Sequence, residues 1–109
     1  MKVTKRVGDL TIEVEGETQK DIFKALAGAE EVFGENTCGK CGSTNIRCIV
    51  RMNDGNEFYE MRCMDCGARL AFGSHKKGGG MFPKRRDADG NYLPNNGWQK
   101  WNPKTKTLE

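Results

Sequence analysis

The sequence holds one histidine, few apolar residues and no long apolar run. With His75 alone and no H-E-x-x-H motif, hydrolytic catalysis has no visible machinery, and the chain is read as non-enzymatic. No stretch approaches the roughly 18 apolar residues of a membrane span. No apolar segment follows Met1-Lys2-Val3-Thr4-Lys5-Arg6, so no signal peptide is expected and the chain is placed in the cytoplasm. Hydrophobic residues make up 36% of 109 residues, and charged residues 30%. So thin a core calls for a staple, either disulfides or a metal.

The five cysteines are the obvious supply. A reducing compartment and an odd count both argue against a disulfide framework. Cys38 and Cys41 form one C-x2-C pair, Cys63 and Cys66 a second, with 21 residues between the pairs. Each short turn sets two sulfurs on one side, and zinc accepts four thiolates as a tetrahedron. Gly42 and Gly67 follow the pairs, where positive φ lets backbone N–H groups point at sulfur. Four thiolates close the coordination shell, so the expectation is one structural Zn²⁺. Iron in the same cage and redox dithiols are the lesser alternatives. Lys40, Arg62 and Arg69 are candidates to offset the cluster's negative charge. Cys48 lies mid-strand away from either pair and reads as a buried apolar residue. His75 reads as a polar loop residue.

The two C-x-x-C-G units, Cys38-Gly39-Lys40-Cys41-Gly42 and Cys63-Met64-Asp65-Cys66-Gly67, resemble the knuckles of the zinc-ribbon family. The resemblance covers about residues 37–73. It implies a three-stranded antiparallel sheet with one bound zinc. Proline is usual within such knuckles; Gly39 and Met64 stand there instead.

Around this unit the pattern predicts a small α+β chain. Residues 2–7 and 10–15 alternate as a hairpin about Gly8-Asp9. Thr18 and Asp21 mark a helix start, and Gly34 its stop. The helix should pack on the hairpin or on the ribbon. Strands are expected at 46–52, 57–62 and 69–72, with Asp54-Gly55 in a hairpin turn. The divisions are 1–36 (hairpin plus helix), 37–73 (ribbon), 74–107 (irregular Gly/Pro-rich extension) and 108–109 (a possible cloning junction).

Charge is unevenly spread. Residues 1–37 carry five Lys/Arg and eight Asp/Glu, whereas residues 74–107 carry eight Lys/Arg and two Asp. A basic segment interleaved with Phe82, Trp98 and Trp101 suits single-stranded nucleic acid, where bases stack on aromatics and phosphates meet cations. The candidate binding residues are Lys76, Lys77, Lys84, Arg85, Arg86 and Trp101, extended on the ribbon by Arg47 and Arg51. The same aromatics could instead wrap a thin core, with Trp98 inside and Trp101 outside. Gly78-Gly79-Gly80 fails the phosphate-loop pattern, and Asp87 to Asn91 fails the calcium-loop spacing and reads as a turn.

The run from the second knuckle through Phe72-Gly73-Ser74-His75-Lys76-Lys77-Gly78-Gly79, then Phe82-Pro83-Lys84-Arg85 and Asn91-Tyr92-Leu93-Pro94, is similar to small phage and prophage zinc-ribbon proteins near replication and recombination functions. That likeness implies binding to single-stranded DNA, with a replication or recombination protein as a possible partner. The alternative is a protein-interaction adaptor that docks a replication or transcription partner through the ribbon and the acidic N-terminal part, with Glu13, Glu15 and Glu17.

Overall fold

The computed structural model describes residues 1–76 and 78–109. The chain divides into two units, Met1–Asn36 and Thr37–Glu109. In the first, strand β1 (Lys2–Val7) pairs antiparallel with β2 (Leu10–Glu15), in the register Val3↔Val14, Lys5↔Ile12 and Val7↔Leu10. Opposed side chains share a face, so these six residues form one side of the hairpin. Helix α1 (Gln19–Phe33) packs on the hairpin, and Val7, Ile22 and Val32 are buried. Lys5 is ion-paired with Glu30 of the helix. A capping box starts the helix: the Asp21 N–H donates to Thr18 Oγ1 and the Thr18 N–H to Asp21 Oδ2, both at 3.2 Å. Two otherwise unpaired donors are satisfied this way. Gly34 closes the helix, its N–H donating to Glu30 O at 2.8 Å.

The second unit is built on an antiparallel sheet in the order β3-β4-β5-β6: β3 (Ile46–Asn53), β4 (Asn56–Cys63), β5 (Arg69–Ser74) and β6 (Met81–Pro83). Asp54 and Gly55 join β3 to β4, with φ of 51° and 79°. Two left-handed residues match the turn to the twist of the flanking strands. The sheet has four strands where the sequence pointed to three. The extra strand comes from the segment expected to be irregular. Gly78 and Gly79 take positive φ, the His75 N–H donates to Gly80 O at 2.8 Å, and the chain turns back so that Gly73 faces Phe82. The glycine run is therefore a hairpin turn. Pro83 is tolerated because it ends an edge strand.

The rest of the C-terminal segment follows the sheet. Arg69 of β5 and Gln99 exchange both backbone hydrogen bonds, at 2.8 and 2.9 Å. A short 3-10 turn spans Pro94–Gly97, and β7 (Trp101–Asn102) pairs with β8 (Thr107–Leu108). Register places Met61 opposite Leu70 and Tyr59 opposite Phe72 on one sheet face, where Met61, Leu70 and Phe72 are buried. The C-terminal segment helps to cover this face. Trp98 is 0% exposed, and a Cβ on Gly97 would lie 3.0 Å from Leu70 Cδ1. Among the described residues, no helix is long and apolar enough to cross a membrane.

Candidate metal centre and basic sheet face

The two C-x2-C turns fold alike. In the first, the Cys38 N–H donates to Ser43 O and the Gly42 N–H to Cys38 O, at 2.8 and 3.0 Å. In the second, the Cys63 N–H donates to Ala68 O and the Gly67 N–H to Cys63 O, at the same two distances. Gly42 and Gly67 have φ of 76° and 82°, which favours residues without a Cβ. Strand β4 ends at Cys63, and the Met64 N–H donates to Asn45 O at 2.9 Å, tying the second turn to the start of β3.

Cys38, Cys41, Cys63 and Cys66 converge, with all four sulfurs within 4.8 Å of one another. The Cys38–Cys66 and Cys41–Cys63 sulfurs are each 3.6 Å apart. A regular tetrahedron with metal–sulfur bonds of about 2.3 Å has edges of about 3.8 Å, so the donor set fits one thiophilic ion. Backbone N–H groups of Lys40, Cys66 and Ala68 donate to Cys38, Cys63 and Cys66 sulfurs at 3.3, 3.5 and 3.4 Å. Such bonds stabilise thiolate. In the metal-free site the Cys66 N–H, helped by that of Asp65, outweighs burial and draws the Cys63 thiol down to about 6. The Ser43 N–H pulls on Cys41 too, but the crowded sulfurs and burial together push that thiol up to about 12.

The first turn rests on the C-terminal segment. A Cβ on Gly39 would stand 2.3 Å from Asn95 O and 2.7 Å from Trp98 Cδ1. Among the described residues, the buried Trp98 Nε1 has no hydrogen-bond partner. Cys48 departs from expectation: it is exposed. Strand β3 is the sheet edge, and Val50 and Met52 in the same row are exposed with it.

The opposite sheet face is polar and basic. Glu60 stands at its centre, with its side chain 2% exposed. Arg51 Nε donates to Oε1 at 2.6 Å, and Arg62 donates to Oε2 from Nε at 3.1 Å and from its terminal nitrogen at 2.8 Å. Arg69 lies 3.9 Å from Oε1. Burial opposes ionisation of Glu60, but the Arg51 and Arg62 bonds prevail and hold its pKa below the ordinary value. Arg62 and Arg69, expected beside the cysteines, are thus directed to Glu60. This carboxylate was not among the expected site residues; its signal is the alternation that sets Phe58, Glu60 and Arg62 on one face of β4.

The candidate binding residues do not form one patch. Arg51 and Lys84 line the same small cavity, and the register puts Arg47 on the Arg51 side of β3. Arg85 donates to Asn96 O. Arg86 donates to the Tyr92 hydroxyl, with its guanidinium 4.4 Å from the ring centre. Trp101 is 54% exposed and lines a separate open cleft with Lys40 and Lys100. Lys76 is exposed, and Lys77 lies outside the described residues.

Comparison with protein-family models, curated proteins and solved structures returns no match for this chain.

Proposed function

We propose that this chain is a non-enzymatic zinc-ribbon protein that binds single-stranded nucleic acid, DNA foremost, as an accessory to replication or recombination. Cys38, Cys41, Cys63 and Cys66 would hold one structural zinc. Bound zinc cross-links the two turns and contributes folding energy. Four sulfur donors leave no open position for water, which speaks for a structural role.

The observation that carries the binding reading is the sheet face. Arg47, Arg51, Arg62 and Arg69 come from three neighbouring strands, with Phe58 and Phe82 among them. Phe58 is 42% exposed. Cations that meet phosphates beside rings that stack on bases are what a single strand requires. Trp101 with Lys40 and Lys100 offers a second contact of the same kind. The adaptor alternative has less support, because Lys2 already pairs with Glu13 and Glu15, at 3.0 and 3.2 Å.

The test is a titration of the zinc-loaded chain with fluorescent single-stranded and duplex oligonucleotides at two salt concentrations. The expected result is tighter single-strand binding that weakens steeply with salt, because phosphate contacts release counterions. Absence of binding at low salt overturns the reading.

A further inference from the structure

We infer that the basic sheet face carries a pocket for a phosphomonoester, and that the terminal phosphate of a nucleic-acid strand is its occupant. The occupant rests on the strand-binding reading above; the pocket does not.

The cavity is about 90 Å³ and is lined by Arg51, Phe58, Glu60, Arg69, Lys84 and Gln99 among others. That space admits a phosphate group. Within a strand, a phosphodiester has an ester bond on each side, and both would have to leave by the same mouth. A terminal phosphate has one.

The charge agrees with the size. Three cations and one carboxylate line the space, a surplus of two positive charges. A phosphomonoester carries about −1.5 to −2 at neutral pH, whereas a diester carries one negative charge. The donors are also unspent. Arg51 commits its Nε to Glu60, which leaves its terminal nitrogens without a hydrogen bond among the described residues. Arg69 meets Glu60 only at 3.9 Å. The Lys84 ammonium and the Gln99 amide have no side-chain partner among the described residues.

Glu60 is the one group in the wall that would repel an anion. Both of its oxygens already accept from arginines, so its effect is to anchor the guanidiniums. Donors fixed before binding lose less freedom on binding. Gly73 lets Phe82 and Lys84 lie close against the sheet: a Cβ there would be 2.6 Å from Phe82 Cζ and 3.2 Å from Lys84 Cε. Phe58 lines the cavity, is 42% exposed and presents a ring with Arg51 5.6 Å from its centre, where the terminal base can stack.

The experiment uses the zinc-loaded chain and one single-stranded oligonucleotide in three forms: 5′-phosphate, 3′-phosphate, and hydroxyl at both ends. Binding is read by anisotropy. Inorganic phosphate is titrated separately while backbone amide shifts of Gly73, Lys84 and Gln99 are followed. One phosphorylated form should bind about tenfold tighter than the hydroxyl form, the worth of one charge-assisted contact. Arg69→Gln and Lys84→Gln should bring that ratio close to one, with circular dichroism confirming that each variant is folded. If no oligonucleotide binds but inorganic phosphate shifts those amides, and Arg69→Gln abolishes the shift, the pocket stands with a free phosphate as its source. If the three oligonucleotides bind alike and inorganic phosphate shifts nothing, the pocket is refuted and the strand-binding reading survives.

Discussion

Replacing Glu60 by glutamine removes one charge from the centre of the basic face and keeps nearly the same shape. The carboxylate accepts three hydrogen bonds from Arg51 and Arg62. A hydrogen bond to a charged group contributes about 1.5–3 kcal/mol net. Two facts reduce the sum. The Arg51 and Arg62 side chains are 40% and 35% exposed, so water screens them. Glutamine also retains one acceptor oxygen. The expected loss is therefore about 2 kcal/mol, less than the 3–5 kcal/mol or so for breaking a fully buried pair. Urea unfolding of the metal-loaded chain, followed by fluorescence of the buried Trp98, should show a midpoint lower by roughly 1–2 M. The sign of the pH dependence follows from the pKa. Arginine bonding holds Glu60 below its ordinary value of 4.5, so its contribution is fully present above that value. It is lost as the pH falls through the lowered one. Acid also strips metal from thiolates, but from both proteins alike. The difference between wild type and Glu60→Gln is thus the quantity to follow, and it should close in acid. Equal midpoints at neutral pH would refute the assignment of Glu60 as the anchor of the arginines.

The cysteines give a second test. The isolated chain should hold one metal ion, and iodoacetamide should then add one group, at the exposed Cys48; after chelation all five cysteines should react. Two or more adducts in the loaded protein, by mass spectrometry, would contradict the four-sulfur site. A third test is Gly39→Ala, whose methyl would meet Asn95 O at 2.3 Å and Trp98 Cδ1 at 2.7 Å. Overpacking of this kind costs about 1–3 kcal/mol, and Trp98 emission should shift to the red; unchanged stability and emission would show that the first turn does not bear on Trp98.

What was legible in the sequence is what short stretches of chain decide. The hairpin of β1 and β2, the capping box of Thr18 and Asp21, the Asp54-Gly55 turn and the two cysteine turns each follow from residues within a few positions of one another. Strand β6 does not. Met81-Phe82-Pro83 is too short and too near a glycine run to announce a strand, and it becomes one because β5 offers an open edge. Cys48 differs from expectation for a related reason. A mid-strand cysteine is usually inside, but burial depends on whether a strand is central or at the edge, and β3 is at the edge. The binding residues suffered most. Lysine and arginine positions are plain in a sequence, yet the partner that claims each is not: Tyr92 takes Arg86, and Asn96 takes Arg85.

Glu60 shows why the two sheet faces diverge. A sheet this small has one face to spend on a core, and the C-terminal segment covers it: Trp98 is sealed inside, and Gly97 stands against Leu70. Gln99 then bonds Arg69 on the edge of β5, which carries the segment from the apolar face to the rim of the polar one. Lys84 reaches the same rim from the end of β6, its N–H donating to Ala71 O at 2.8 Å. The segment that completes the core therefore also supplies Lys84 and Gln99 to the cavity, while the sheet supplies Arg51 and Arg69. With four sulfurs drawing the two turns together, the sheet needs no second apolar layer. A face freed from that duty can keep an arginine cluster around one carboxylate, and this is where the cations stay partly solvated and able to take a phosphate.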